Sequence, residues 1–224
     1  MDWMAFALSL KLAFWTCVLI LPLAVVLARF IAWGRFRGKS AIEALIMLPL
    51  VLPPTVLGFY LLIAFSPASA FGSVLTRLFG GSLVFSFAGI LIASLIINLP
   101  FAVQPIQRAF EAISPNVREA AFVSGLSPLE TLRFIELPLA WSGIVSAIAL
   151  VVAHTLGEFG VILMIGGSVP GSTRALSIAI YDNVMAFRTG QAAVMSAVLL
   201  AFSLAAIAIV HVLARRRRAE IPHA

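Results

Sequence analysis

One pair of ionisable residues lies far from the ends of the chain's apolar runs. His154 and Glu158 are four positions apart, so on a helix they share one face and lie a turn from each other. Such a pair can relay a proton or form a structural contact. A relay needs further acids, and this run has none, so the pattern favours a structural pair. A carboxylate in an open path would also repel an anion, which predicts that Glu158 points away from any lumen.

Residues that break helices or allow close packing identify a possible passage through the protein. Three prolines lie within six residues of one apolar run, at about residues 44–65. Inside a membrane, the freed carbonyls need neighbouring protein or a water-filled cavity. The alternatives are a simple kink and a bent helix that lines a central passage. The residues assigned to that passage are Pro53, Pro54, Thr55 and Gly58.

Two more runs contribute candidates for the passage or its gate. Asn98 is the amide near the middle of its run, so it should face protein or the pathway rather than lipid. An interhelical hydrogen bond is the favoured role. Beside Glu158, Gly157 and Gly160 would allow close helix approach or a gate bend, and Phe159 lies between them.

The composition predicts a polytopic membrane protein. The 224 residues are 62% hydrophobic and only 11% charged, with a mean hydropathy of +1.11, and several runs are long enough to cross a bilayer core of about 30 Å. The net charge of +6 does not indicate nucleic-acid binding, because the basic residues cluster at the ends of apolar runs. A single Cys17 excludes an internal disulfide and a cysteine metal site.

Five spans are expected in this all-α chain, within a single transmembrane domain over residues 1–224. The residues that follow the odd-numbered spans carry eleven cations, whereas the opposite side carries four. The positive-inside rule therefore predicts an outer N-terminus and an inner C-terminus, with Arg215 to Arg218 as a cytoplasmic stop. The predicted spans are about 12–33, 44–65, 84–107, 137–165 and 191–213.

A polar segment, residues 108–136, separates the third and fourth runs. Pro115 suits the first position of a helix, and Gly125 suits the left-handed residue that ends one. Ser127 and Glu130 then have the spacing of a capping box that begins a second helix. Two short helices with a glycine bend could form a docking element for another protein, or only an ordinary loop.

The spacing within this segment resembles a known motif. Glu119, Ala120 and Ala121, followed by Gly125 and then by Ile135, Leu137 and Pro138, keep every spacing of the EAA loop of binding-protein-dependent ABC importer permeases. The resemblance implies a type I ABC importer permease (MetI-like) fold in the cytoplasmic (inner) membrane. It also implies that these seven residues form a coupling helix region that sits in a cleft of the ATPase subunit.

Three further stretches resemble the molybdate (ModB-like) branch of that family: residues 48–58, 156–160 and 169–174. Sulfate permeases are similar but typically have tyrosine where Phe159 stands. Ser172 departs from the glutamate that is common in the outer loop of the molybdate branch. Molybdate is therefore the expected substrate, with tungstate and sulfate as alternatives.

The resemblance implies several partners, because the chain has no nucleotide-binding motif and no cofactor site of its own. We expect an ABC ATPase, an outer substrate-binding protein and a second permease copy, most simply in a homodimer that works by alternating access. A secondary transporter and a membrane-embedded enzyme are the rival classes. Each would need clusters of polar or ionisable residues in or near the membrane, and this sequence does not have them. The outer residues assigned to binding-protein docking are Pro170, Gly171, Ser172, Thr173 and Arg174.

Overall fold

The computed structural model describes residues 1–219, and all regular structure in that range is helical. A π-helical turn, Leu132–Glu136, joins two of the helices. The helices are α1 Trp3–Trp33, α2 Lys39–Val51, α3 Pro54–Phe65, α4 Ala70–Phe79, α5 Phe87–Glu111, α6 Pro115–Val123, α7 Pro128–Thr131, α8 Leu137–Leu139, α9 Trp141–Gly157, α10 Gly160–Gly166, α11 Leu176–Met185 and α12 Thr189–Ala219.

Within residues 1–219, three helices are long and apolar enough to cross a membrane: α1, α5 and the Thr189–Ala208 part of α12. The number rises to five if each of two bent helix pairs forms one span. The α2–α3 pair bends by 109°, and Pro128–Leu139 meets α9 at 71°. The all-helical prediction is confirmed. The side chains of 215–218, the predicted cytoplasmic stop, lie outside the described part of the chain.

The first helix begins well before the predicted start of its span at residue 12. Asp2 caps it, since its carboxylate accepts a hydrogen bond of 2.9 Å from the Ala5 N–H. Lys11, expected before the span, is instead inside α1, where its Nζ lies 4.5 Å from the centre of the Phe87 ring. The apolar run, taken alone, gives no weight to the polar cap at Asp2, so it does not indicate that the helix begins at Trp3.

The central core is built by α1, α5 and α9. Small buried residues on α1, including Ala24 and Ala28, pack in the same cluster as Ala102 and Phe110 of α5. Small residues let helix backbones approach closely in a bilayer, where apolar burial alone gives helices little reason to associate. This three-helix core connects the polar segment after α5 to the helix breaks at the opposite end of α9.

Candidate functional site: the polar segment and the helix breaks

The helix α6 ends at a glycine bend, as the sequence predicts. Gly125 has φ +81°, and the Leu126 N–H donates to the Ala121 carbonyl at 3.1 Å. The Gly125 N–H donates to the Phe122 carbonyl at 3.0 Å, which completes a Schellman motif. Pro115 occupies the first turn of α6, while the side chain of Ser114 makes no capping hydrogen bond.

The predicted capping box at the start of α7 is also confirmed. Ser127 Oγ accepts from the Glu130 N–H at 3.3 Å, and a Glu130 carboxylate oxygen accepts from the Ser127 N–H at 2.8 Å. The Ser127 hydroxyl donates to the same oxygen at 2.6 Å. These hydrogen bonds hold the pKa of Glu130 below its ordinary value of 4.5.

Polar and apolar residues are exposed along α6, α7 and the π turn, and we call this surface the coupling face. Glu119 and Ala120 are exposed on it, whereas Ala121 is buried at 6% exposure and faces the protein. Its large apolar members are Val117, Phe122, Val123, Leu129 and Phe134, all at least 40% exposed. An exposed apolar patch of this kind is typical of a protein interaction site.

The last part of the motif is less exposed than the part on α6, except at Pro138. Leu137 is half-buried and packs against the α1–α5–α9 core, and Ile135 is also half-buried. Pro138 is exposed in α8, which follows the π turn without a break. The motif therefore divides into an outward part, on α6, and a part that anchors the segment to the core.

Glu136, which sequence reasoning missed, lies at the centre of that anchor, and we call the group around it the Glu136 cluster. Its carboxylate is fully buried and accepts hydrogen bonds from Arg29 Nε at 2.7 Å and Arg118 Nε at 3.1 Å. The Arg118 guanidinium also lies over the Trp33 ring, 3.7 Å from its centre. A lone glutamate between Ile135 and Leu137 was the available signal, because a charge in an apolar context must find partners.

At the other end of α9, the two helix breaks lie against each other. α2 gives way to α3 at Leu52 and Pro53, and α9 gives way to α10 at Glu158 and Phe159. A β-carbon at Gly160 would lie 2.9 Å from Cβ of Pro54. The fold thus brings together the passage candidates from two distant parts of the sequence.

The close approach continues along α3 and α10. A β-carbon at Gly58 would lie 2.9 Å from Cβ of Met164 and 3.2 Å from Cα of Val161. Gly157, by contrast, has no neighbouring atom within 4 Å of its β-carbon position, so it permits no close approach. Of the two roles assigned to these glycines, close helix approach or a gate bend, close approach is present at Gly160, whereas Gly157 lies at the end of α9 beside the break.

A small cavity of about 140 Å³ lies beside the two breaks. His154 and Glu158 line it, together with Pro49, Pro54 and Phe101. A Glu158 carboxylate oxygen accepts from the Val161 N–H at 2.9 Å, so this residue caps α10. Its other oxygen lies 3.7 Å from His154 Nε2. These contacts agree with the structural role favoured for this pair, but Glu158 lines the cavity, whereas the sequence predicted that it points away from any lumen.

Asn98 joins α5 to α9 beside the cavity. Its amide nitrogen donates to Thr155 Oγ1 at 3.1 Å, and its oxygen lies 3.1 Å from His154 Nδ1. The side chain is fully buried. Ser94 and Thr16 extend the group towards α1 through a hydrogen bond of 2.9 Å. The favoured interhelical hydrogen bond of Asn98 is therefore present, and its amide does not line the cavity.

The loop assigned to binding-protein docking, residues 170–174, differs from its predicted role at one residue. Thr173 is fully buried, and its hydroxyl donates to the Gly166 carbonyl at 2.5 Å and accepts from the Val169 N–H at 3.2 Å. It therefore shapes the loop and cannot touch an external protein. Arg174 lies 3.2 Å from Asp182 and 3.7 Å from Asp2. Pro170 and Gly171 are exposed and Ser172 is half-buried.

Comparison with known proteins identifies the class. Residues 20–219 match the family model described as "Binding-protein-dependent transport system inner membrane component". The chain therefore belongs to this family of multi-pass inner-membrane transport subunits. The match favours a transport component over the rival class of membrane-embedded enzymes.

The chain is similar to individual permeases of molybdenum and sulfate transport systems. Molybdenum transport system permease protein ModB of Azotobacter vinelandii is 46% identical over 85% of this chain and 84% of its own length. The ModB protein of Haemophilus influenzae is 35% identical over 82% of this chain and 80% of its own length. Sulfate transport system permease protein CysT of Salmonella typhimurium is 29% identical over 89% and 72%.

Solved structures agree on the fold. A bacterial ABC transporter involved in alginate import matches with a TM-score of 0.77 at 18% identity, over 95% of this chain and 78% of its own. The MetNI methionine ABC transporter matches with a TM-score of 0.63 at 19% identity, over 99% and 94%. The chain therefore has the fold of an ABC importer permease.

Proposed function

We propose that this chain is the permease subunit of an ATP-driven importer that carries molybdate across the inner membrane by alternating access. A separate ATPase supplies the energy, and a separate outer binding protein delivers the oxyanion. Five spans cross the bilayer, with the N-terminus outside and the C-terminus inside. The cation distribution of the sequence and the two bent helix pairs support this topology.

The coupling face is the observation that carries the proposal. It presents Glu119 and Ala120 on a short helix, beside apolar side chains such as Val123, which is 89% exposed. Alanine leaves the backbone of α6 open to close approach, and the apolar residues supply area that another protein can bury. A face of this kind at a membrane surface suits the cleft of an ATPase, and the topology places it where ATP is available.

The two helix breaks form the proposed passage and gate. Pro53, Pro54, Thr55 and Gly58 supply one wall, and residues 157–160 supply the other. The contact of α3 with α10 supports a gate in which the two short helices move together. A single chain of this size encloses no continuous pathway, so a second copy, in a homodimer, completes it.

The outer loop is the proposed docking surface for the binding protein. Pro170, Gly171 and Ser172 form its accessible part. Thr173 and Arg174 stabilise the loop, since Thr173 bonds to the Gly166 carbonyl and Arg174 pairs with Asp182. Arg174 retains partial exposure at 23%, so its guanidinium can still meet a docked protein at the rim.

The similarity to ModB proteins supports molybdate as the substrate, and that to CysT supports sulfate as the alternative. Both substrates are tetrahedral dianions, so the permease itself offers little basis for choosing between them. The choice is therefore best tested by transport in the presence of the cognate binding protein.

The test is uptake of radiolabelled molybdate or sulfate by vesicles that hold the permease, its ATPase and its binding protein. Gly125→Pro should abolish ATP-dependent uptake, because proline cannot adopt φ +81° and removes the N–H that bonds to Phe122. Gly80→Pro is the matched control, since Gly80 also ends a helix in a left-handed conformation, at φ +71°, but far from α6.

Molybdate uptake that requires ATP and is lost only in the Gly125 variant would support both the class and the site. Uptake that proceeds without ATP would indicate a secondary transporter. Uptake that survives Gly125→Pro would contradict the role of the coupling face. Transport of sulfate that excess molybdate does not inhibit would favour the alternative substrate.

A further inference from the structure

The helix α6 is weakly held by apolar contacts. Ala121 is its one buried residue, and a methyl group contributes little burial. An element that carries force between two subunits needs a firmer attachment than this. A charged contact adds to this attachment: Arg118 of α6 forms an ion pair with the buried Glu136, at 3.1 Å.

The Glu136 cluster joins three parts of the chain at one fully buried carboxylate. Arg118 belongs to α6, Glu136 to the π turn before α8, and Arg29 to the last turns of α1. Arg29 bonds both carboxylate oxygens, at 2.7 and 3.3 Å. Charge-assisted bonds of this kind are short, directional and stronger than neutral ones, and two of them fix the carboxylate in orientation.

The aromatic ring of Trp33, at the end of α1, is a further contact of Arg118. The Arg118 guanidinium lies 3.7 Å from the ring centre, and the ring packs against Phe110 of α5 at 5.2 Å between centroids. A planar guanidinium can stack on a ring and still donate from its edge to a carboxylate, which an ammonium cannot do. Arg118 thus touches α1 directly, through Trp33, and indirectly, through Glu136 and Arg29.

We propose that Arg118 is a positioning residue for energy coupling: through Glu136 and Trp33, it makes α6 move as one body with α1 and with the segment that leads into α9. This role rests on the proposed docking of α6 into the ATPase. Without Arg118, α6 would still dock by its coupling face, but its displacement would no longer be passed on in full to the membrane helices.

The arrangement separates positioning from folding. Removing Glu136 would leave Arg29 and Arg118, whose side chains are 27% and 23% exposed, facing each other without a counter-charge, which is destabilising. Removing Arg118 leaves the Arg29–Glu136 pair intact, so the buried carboxylate stays compensated. Arg118→Met, which keeps the apolar stem, should therefore spare the core while it frees α6.

The experiment uses the complete transporter in proteoliposomes and compares Arg118→Met with Arg108→Met. Arg108 is the matched control, because its side chain is 83% exposed and, within residues 1–219, its ion pair is with Glu111, one turn away at 3.5 Å. Three quantities are measured: recovery of the ATPase with tagged permease, ATP hydrolysis stimulated by loaded binding protein, and molybdate taken up per ATP hydrolysed. Arg118→Lys is included because it keeps the charge but not the flat stack on Trp33.

We expect Arg118→Met to recover the ATPase normally and to hydrolyse ATP, while molybdate uptake per ATP falls about tenfold. That factor is close to the low end of the range for a charge-assisted hydrogen bond, because the Arg118 side chain is partly exposed. Arg118→Lys should restore part of this ratio, and Arg108→Met should keep the wild-type ratio. A wild-type ratio in Arg118→Met would overturn the proposal. If that variant does not assemble, Arg118→Lys decides: a lowered ratio supports the role, and a wild-type ratio overturns it.

Failure here is distinguishable from failure of the proposed function. If Gly125→Pro abolishes uptake while Arg118→Met preserves the ratio, the coupling face stands and Arg118 has no positioning role. If neither variant changes uptake, α6 is not the coupling element at all.

Discussion

The contact between the two helix breaks yields a sharp prediction. In Gly160→Ala, the new β-carbon would lie 2.9 Å from Cβ of Pro54, about 0.6 Å short of the roughly 3.5 Å at which carbon atoms pack without repulsion. The proline cannot relieve this overlap by rotating, since its ring is rigid and it forms the first turn of α3. α3 and α10 must therefore move apart.

The net cost follows from two opposing terms. Overpacking of a tight contact costs about 1–3 kcal/mol, whereas replacing glycine by alanine in a helix contributes up to about 1 kcal/mol of stability. With the full glycine-to-alanine gain, the balance is a loss of up to about 2 kcal/mol, or up to roughly 8 °C in melting temperature for a chain of this size. Gly190→Ala is the matched control, because Gly190 also lies in the first turn of a helix but has no neighbour within 4 Å of its β-carbon position.

The assay is thermal unfolding of the purified transporter, with molybdate uptake measured on the same preparations. Gly160→Ala should unfold at a lower temperature and transport more slowly, because separating α3 from α10 alters the proposed gate. Gly190→Ala should keep the wild-type melting temperature or exceed it. Equal melting temperatures and equal uptake in the two variants would refute the reasoning, because they would mean that α3 and α10 are not in tight contact.

Two further predictions concern the loop that contains Thr173 and the capping box at the start of α7. Thr173→Val should weaken docking of the binding protein, because the loop loses the hydroxyl that bonds to Gly166; binding affinity for the reconstituted permease measures this, and an unchanged affinity would contradict it. Ser127→Ala should raise the pKa of Glu130 towards its ordinary value of 4.5. Because the folded pKa is lowered, the Glu130 half of the capping box stabilises α7 above about pH 4.5 and is lost as the pH falls through the folded value. The bond from the Glu130 N–H to Ser127 Oγ does not depend on pH. The difference in hydrogen exchange of α7 between variant and wild type should therefore be larger at neutral pH than in acid; a difference that does not change with pH would argue against this origin.

The local features of the polar segment could be predicted from the sequence because their causes are local. A left-handed glycine at Gly125 and a capping box at Ser127 and Glu130 depend on residues within one or two turns. The all-helical membrane class follows from composition in the same way. The start of α1 at Asp2 was missed, although its cause is also local, because a search for apolar runs gives no weight to a polar cap.

The Glu136 cluster and the contact of the two breaks could not be predicted in this way. Arg29 and Glu136 are 107 positions apart, and Arg118 and Glu136 are separated by 18. No period or turn signal relates such positions, and only the packing of α1, α5 and α9 brings them together. The burial of Thr173 is a similar case, since an outer loop rich in turn formers gives no indication of which hydroxyl turns inward.

The helix α9 connects the Glu136 cluster to the two helix breaks. It begins five residues after Glu136 and runs without a break from Trp141 to Gly157, a length of about 25 Å at 1.5 Å per residue. At its far end, the Glu158 carboxylate caps α10 and lies beside His154 on the last turn of α9. A helix of this length transmits displacement along its axis because its backbone hydrogen bonds resist stretching. In the proposed mechanism, movement of the Glu136 cluster therefore passes first across the 71° bend between Pro128–Leu139 and α9, and then along α9 to the helix breaks.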